Sequence, residues 1–452
     1  METDLYFREL CDFIREVMER DHVPGAAVGI IHQGQEYTAG FGVTSVENPL
    51  EVDADTLFQI GSTTKTVTGT IAMRLVEMGK LDLDAPVRTY LPTLRLAHED
   101  VAARVTMRHL LTHTAGWVGD YFDDTGRGDD SLSIMVERMA KLEQLTPLGE
   151  IWSYSNSSFY LAGRIIEVLT GKTYETAARE MVLDPIGMTQ SFFFPEDVMT
   201  YRFAAGHDIQ EDKAQVARPW ALPRAAHAAG GLTCSVKDQM RYARFHLGDG
   251  TTEDGTRLLS PESMKHMQSP QAPSALGDSM AITWHLHDVG GVRFVQHGGG
   301  TNGQVSTFTM APARGFALAF PTNAGSGRLI EDVTAWVFER YLGVKEEVPA
   351  PLDLPEEELA PYIASYESAM TIVELTPKDG KLIVQLRYKG GFPTPESEPP
   401  PPPPPISMAM CEQDQILATD GPLKDARGEF LRGPDGKIAW LRIGGRIHRR
   451  VS

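Results

Sequence analysis

Cysteine is scarce in this chain: Cys11, Cys234 and Cys411 are its three, far apart and without a C-x-x-C pair. That excludes a disulfide framework and a thiolate zinc site, and makes buried free thiols the expected state. Long hydrophobic runs are missing as well. No segment reaches the roughly 20 consecutive apolar residues that a membrane span needs. The opening residues Met1-Glu2-Thr3-Asp4 are acidic and lead straight into an amphipathic pattern, without the basic and apolar regions of a secretory signal. A cytoplasmic chain with no membrane partner is therefore expected. Positive charge is in deficit: 42 Lys and Arg stand against 61 Asp and Glu, a formal net charge of −19. Nucleic acid and anionic lipid are thereby disfavoured as partners, while nothing follows about fold.

What is present is an ordinary globular composition, 42% hydrophobic and 23% charged over 452 residues. That length exceeds one ordinary core and implies a large domain with a smaller one. Leu5 to Met18 has helical spacing, and Ala27–Ile31 and Glu36–Gly42 form a hairpin about His32-Gln33-Gly34-Gln35. Val67, Ile71, Leu75 and Met78 mark a helix that Gly79 stops. Thr106 caps a short helix to Leu111, and the chain then stays mainly helical to about Leu183, with a loop near Asp120–Asp130. Beyond Ala226, strand-like runs appear at Ala281–Leu286, Val292–His297, Val305–Met310 and Phe316–Phe320, followed by a helix over Ile330–Tyr341. Strands at both ends of this part and helices between them predict an α+β fold, an antiparallel sheet with helices packed on it.

Residues 346–358 read as a Pro- and Glu-rich linker between a first domain, 1–345, and a small all-β domain, 359–452. In the latter, Thr371–Leu375 pairs with Leu382–Leu386 and Gly428–Leu431 with Ile438–Leu441. The run Pro399–Pro405 cannot donate to a sheet and is expected as an extended surface loop.

Three stretches carry chemistry. Gly61-Ser62-Thr63-Thr64-Lys65 opens the predicted helix, so Ser62 and Lys65 emerge on one side, a hydroxyl beside an amine at a helix mouth. A desolvated lysine can lose its proton near neutral pH and serve as base to that hydroxyl. Tyr154-Ser155-Asn156 places a phenol and a carboxamide two residues apart in a polar loop, and a neighbouring ammonium would lower the phenol's pKa. His297-Gly298-Gly299-Gly300 follows a strand, where glycines let a ligand approach the backbone and leave the Gly300 N–H free to donate.

In order and spacing, these stretches resemble the serine β-lactamase and penicillin-recognising superfamily, in the branch of class C β-lactamases, D-aminopeptidases and family VIII esterases. Ser62-Thr63-Thr64-Lys65 matches its S-x-x-K motif, Tyr154-Ser155-Asn156 its Y-x-N motif, and His297-Gly298-Gly299 the third, usually K-T-G. His109–Gly116, Asp184–Met188 and Ala229–Leu232 are supporting matches. The resemblance implies a β-lactamase/DD-peptidase-like sheet with a helical lobe, followed by a lipocalin-like β domain that shapes the cleft. It implies Ser62 as acylated nucleophile, Lys65 as base and Tyr154 as proton relay to the leaving group. Asn156, His297, Gly298, Gly299 and Gly300 would bind substrate, with the Ser62 and Gly300 N–H groups as oxyanion hole.

His109 and His113, despite helical metal-ligand spacing, become framework residues, so neither metal nor cofactor is expected. His297 stands where β-lactamases carry lysine, and the constant positive charge for a substrate carboxylate is lost. The expected function is hydrolysis through an acyl-enzyme of esters or amides of small or D-amino-acid substrates, with weak or no β-lactam hydrolysis. The alternatives are an acyltransferase using the same site and a catalytically silent scaffold. The partner would be a small ester, amide or short peptide, and oligomeric state is left open.

Overall fold

The computed structural model describes residues 2–325, 327–399, 401–421 and 423–451. An eight-stranded antiparallel sheet organises the first three-quarters of the chain. The hairpin Gly25–His32/Gln35–Gly42 forms one edge, and Gly25–His32 then pairs with Phe316–Thr322, so the two ends of this part of the chain meet in one sheet. Val305–Ala311, Val292–Gly300, His285–Val289 and two short strands, Ser279–Met280 and Ala272–Pro273, complete it. One face is covered by the helices Glu2–Arg20 and Leu329–Val337, whose apolar stripes meet Phe294, Leu318 and Phe320. The other face packs on the larger helical lobe.

The helix Thr64–Glu77 runs through the middle of that lobe, buried on nearly every side although threonine recurs along it. It is stable there because its hydroxyls are paired. Thr64 donates to the Gly61 carbonyl, Thr66 to Thr63 and Thr68 to Ala228, at 2.7–2.8 Å. A buried hydroxyl with a partner costs little, whereas an orphan would cost about 1–3 kcal/mol. Met78, assigned to the apolar stripe by its spacing, is 49% exposed at the helix end.

Two boundaries differ from expectation. The run from Ala281 becomes strand only at His285, because Trp284 turns into the core and Thr283 takes a left-handed backbone. The strand starting at Val292 continues to Gly300, so the glycines lie within the strand, paired with Val305–Thr307, rather than after it.

The C-terminal residues close an eight-stranded antiparallel barrel from Ser365 to Arg450. Both expected hairpins are present in it. Of the proline run, Pro400 lies outside the described residues; 401–405 form neither helix nor strand and lead into Ile406–Glu412. Among the described residues no helix is long and apolar enough to cross a membrane.

Candidate active site

Ser62 sits half-buried on a single 3-10 turn, Gly61–Thr63, that leads into the central helix rather than on the helix itself. Gly61 makes that turn possible. Its φ is +51°, and a Cβ there would lie 2.6 Å from the Gly300 nitrogen. The serine turn and the glycine strand therefore touch backbone to backbone, a contact available only to glycine. Ser306 donates to the Ile60 carbonyl at 2.9 Å and Thr63 to the His297 carbonyl at 3.2 Å, locking the two segments together.

Lys65 is fully buried. Its Nζ lies 3.1 Å from Ser62 Oγ and donates to Asn156 Oδ1 at 2.7 Å and to the Ala229 carbonyl at 2.6 Å. Burial drives its pKa well below the ordinary lysine value; Arg446 lowers it further and Asp120 opposes. The charged form is what desolvation penalises, so the site favours a neutral amine beside the serine.

Tyr154 hydrogen-bonds Ser62, and its ring lies 5.0 Å from Lys65 Nζ. The expectation that the lysine would lower this phenol's pKa is overturned: burial raises it, outweighing the Ser62 hydrogen bond and Arg446. The Arg446 guanidinium beside the ring favours the phenolate but does not offset that burial. Tyr154 is thus a proton-holding donor.

Asn156 stands at the mouth of the Ser157–Thr170 helix, its Oδ1 accepting from Lys65 Nζ and its Nδ2 donating to Asp120, both at 2.7 Å. One amide N–H remains for a ligand. Beneath Tyr154, His113 stacks at 4.4 Å and accepts from the Ser155 N–H at 3.0 Å, holding the Tyr154–Asn156 loop in place. His109 completes a capping box with Thr106. Among the described residues no cluster suited to a metal is found.

His297 is buried and its ring contacts His285 at 5.0 Å. Its Nδ1 lies 2.6 Å from the Gly298 carbonyl, which assigns the proton to Nδ1 and leaves Nε2 an unpaired acceptor. Burial, with His285 and Lys65 nearby, pushes its pKa well below the usual histidine range. The imidazole is neutral.

Two charged residues at the site were not foreseen. Arg446, on the last barrel hairpin, donates to Asp120 Oδ2 at 3.0 Å and lies 4.6 Å over the Tyr154 ring. The Gly445 carbonyl at the hairpin tip accepts from the Tyr154 N–H at 2.9 Å. A cation thus returns to a site that lacks the motif lysine, but it arrives paired with a carboxylate. Ile443-Gly444-Gly445-Arg446 signals a tight hairpin in sequence; nothing local says where its tip docks.

Ser62, Tyr154, Asn156 and His297–Gly300 all open onto one cavity of about 910 Å³. Phe122, from the loop near Asp120–Asp130, and Leu222 and Pro223 are among its walls. His285, at the start of the strand after Trp284, lines it too.

A beta-lactamase family model matches residues 10–337. The chain is 36% identical to penicillin-binding protein 4 of Amycolatopsis lactamdurans, over 76% of this chain and 93% of that protein. Its structure is similar to that of SurE solved with D-Leu, at TM-score 0.76 and 26% identity, covering 99% of this chain and 100% of that one. It is similar also to an octameric penicillin-binding protein homologue from Pyrococcus abyssi, at TM-score 0.67 and 25% identity over 98% and 99% of the chains.

Proposed function

The chain belongs to the beta-lactamase family, and from that premise we propose that it is a serine hydrolase working through an acyl-enzyme on esters or on amides of small, D-amino-acid-containing substrates. One observation carries the reading: a fully buried Lys65, its pKa driven down, 3.1 Å from Ser62 Oγ. Ser62 Oγ attacks the carbonyl carbon while its proton passes to the Lys65 amine. The carbonyl oxygen gains charge between the N–H groups of Ser62 and Gly300. As the bond to the leaving group breaks, Tyr154 gives up its proton to that group and recovers one from Lys65. Water then repeats the sequence on the ester of Ser62.

A neutral His297 and an Arg446 already paired to Asp120 offer no free cation to a β-lactam carboxylate, which favours neutral esters and amides. The D-Leu held by one similar protein favours D-configured residues.

Mass spectrometry after treatment with a fluorophosphonate is the direct test. A single adduct on Ser62, absent from Ser62→Ala, is expected; an unlabelled Ser62 in folded protein refutes the reading. A panel of p-nitrophenyl acetate, D-leucine p-nitroanilide and a chromogenic cephalosporin then ranks substrates, with the cephalosporin expected last.

A further inference from the structure

The cavity at Ser62 does not stop at the catalytic sheet; it continues into one end of the barrel. Strand alternation shows why that end is hollow. Along Lys381–Tyr388, Leu382 is packed in the barrel core, Val384 forms a floor, and Leu386, on the same side, lines the cavity. Along Ile406–Glu412, Met410 is packed while Met408 and Ile406 face the cavity. The far end is plugged by aromatic rings: Phe430 lies 4.6 Å from Tyr362 and 5.9 Å from Tyr366. The barrel is therefore filled away from Ser62 and open toward it.

The polar groups at the mouth are already engaged. His448 bonds Thr371 at 2.7 Å, and burial holds its pKa down at about 4, so it is neutral. Arg446 is on Asp120, and Arg427 donates to the Glu347 carbonyl. Phe392, on the loop before the proline run, meets Phe122 of the catalytic part edge-on at 5.0 Å and bridges the two sides of the cavity. What remains is an apolar chamber, near the upper end of small-molecule pocket sizes, opening onto the nucleophile.

We propose that the barrel mouth is a substrate subsite that seats a neutral, apolar group attached to the scissile ester or amide, a role that rests on the hydrolase reading above. Continuity with Ser62 identifies the occupant as substrate. Paired charges along the wall leave nothing to hold an anionic group there.

Binding to the full-length Ser62→Ala chain tests this without requiring acylation, so failure of the hydrolase reading would show separately, as an unlabelled Ser62. The probe is N-phenyl-1-naphthylamine, a neutral apolar fluorophore, expected to bind once per chain. Methyl octanoate and octyl acetate should displace it at concentrations at least about a hundredfold below methyl acetate, since each buried methylene gains roughly three- to fourfold. Leu386→Trp and Met408→Trp fill the mouth from different strands. Each should weaken probe binding at least about tenfold, with circular dichroism confirming the folded barrel. The proposal is overturned if the probe does not bind, if short and long esters displace it alike, or if folded plugged variants bind it unchanged. The ester series on the unplugged chain decides the matter even if both tryptophan variants misfold.

Discussion

At the scale of single residues, Lys65 has three polar neighbours and no carboxylate among them. A buried ammonium without a counter-ion is costly, and the lower-energy state is the free amine. Lysine can reach that state; arginine, with its far higher pKa, cannot. Lys65→Arg should therefore lower kcat/KM for p-nitrophenyl acetate by about 10²–10⁴-fold, the usual range for losing a general base. The pH profile carries a second signature. The base works only when neutral, so activity is lost as pH falls through its pKa. Because burial has pushed that pKa well below the ordinary lysine value, the acidic limb should lie well below pH 10. A limb near pH 10 would show Lys65 to be an ordinary ammonium, and the base would have to be sought elsewhere. Tyr154, pushed in the opposite direction by burial, keeps its proton across the same range.

Among the elements, the glycine strand meets the serine turn directly, while the last barrel hairpin reaches the site through Tyr154 and Asp120. A Cβ on Gly299 would stand 1.9 Å from the Ile60 carbonyl oxygen and 2.9 Å from Ser306 Oγ. Backbone cannot step aside as a side-chain tip can, so Gly299→Ala should move the strand off the serine turn. Loss of an aligned oxyanion donor costs about 10²–10³ in kcat; a loss of at least that size is expected, with the barrel's circular dichroism retained. The hairpin acts through charge instead. Arg446 disfavours protonation of Lys65, so Arg446→Met should let the Lys65 pKa rise and shift the acidic limb of the rate profile toward alkaline pH. Arg446→Lys should restore much of its position, which a purely structural role for the side chain would not predict. These two elements differ in how far sequence reveals them. Ser62, Lys65, Tyr154, Asn156 and His297 sit in short motifs that the resemblance to the family makes legible. Arg446 meets Asp120 across 326 residues of chain, and no local pattern encodes a contact made only when two folded bodies dock. The Tyr154 pKa is hidden for a related reason: it is set by enclosure, which a neighbour in sequence does not reveal.

For the whole molecule, the question is what keeps the barrel mouth registered against Ser62. The organisation we propose, 1–345 and 359–452 joined by 346–358, makes the linker the natural place to fix that registry. His287 on the sheet bonds Asp278 at 2.9 Å and lies 3.6 Å from Glu346, at the head of the linker. Glu346 is in turn 3.7 Å from Arg427 of the barrel, and Arg427 donates to the Glu347 carbonyl at 2.9 Å. Sheet, linker and barrel thus meet around one imidazolium. Asp278, and then Glu346, raise the His287 pKa to about 10. The folded value lies above the unfolded one, near 6.5. The stabilisation is therefore complete below about pH 6.5 and is lost as pH rises through about 10. Both carboxylates are more than a third exposed, so solvent screening reduces the contribution to about 1 kcal/mol. Thermal unfolding followed from pH 6 to pH 10.5 should show the parent chain losing its margin over His287→Leu as pH rises, with the two curves meeting near the top of that range. Parallel curves would mean that His287 is held by packing alone. If the margin closes while fluorophosphonate labelling of Ser62 slows in step, the same imidazolium governs both the seam and the site it encloses.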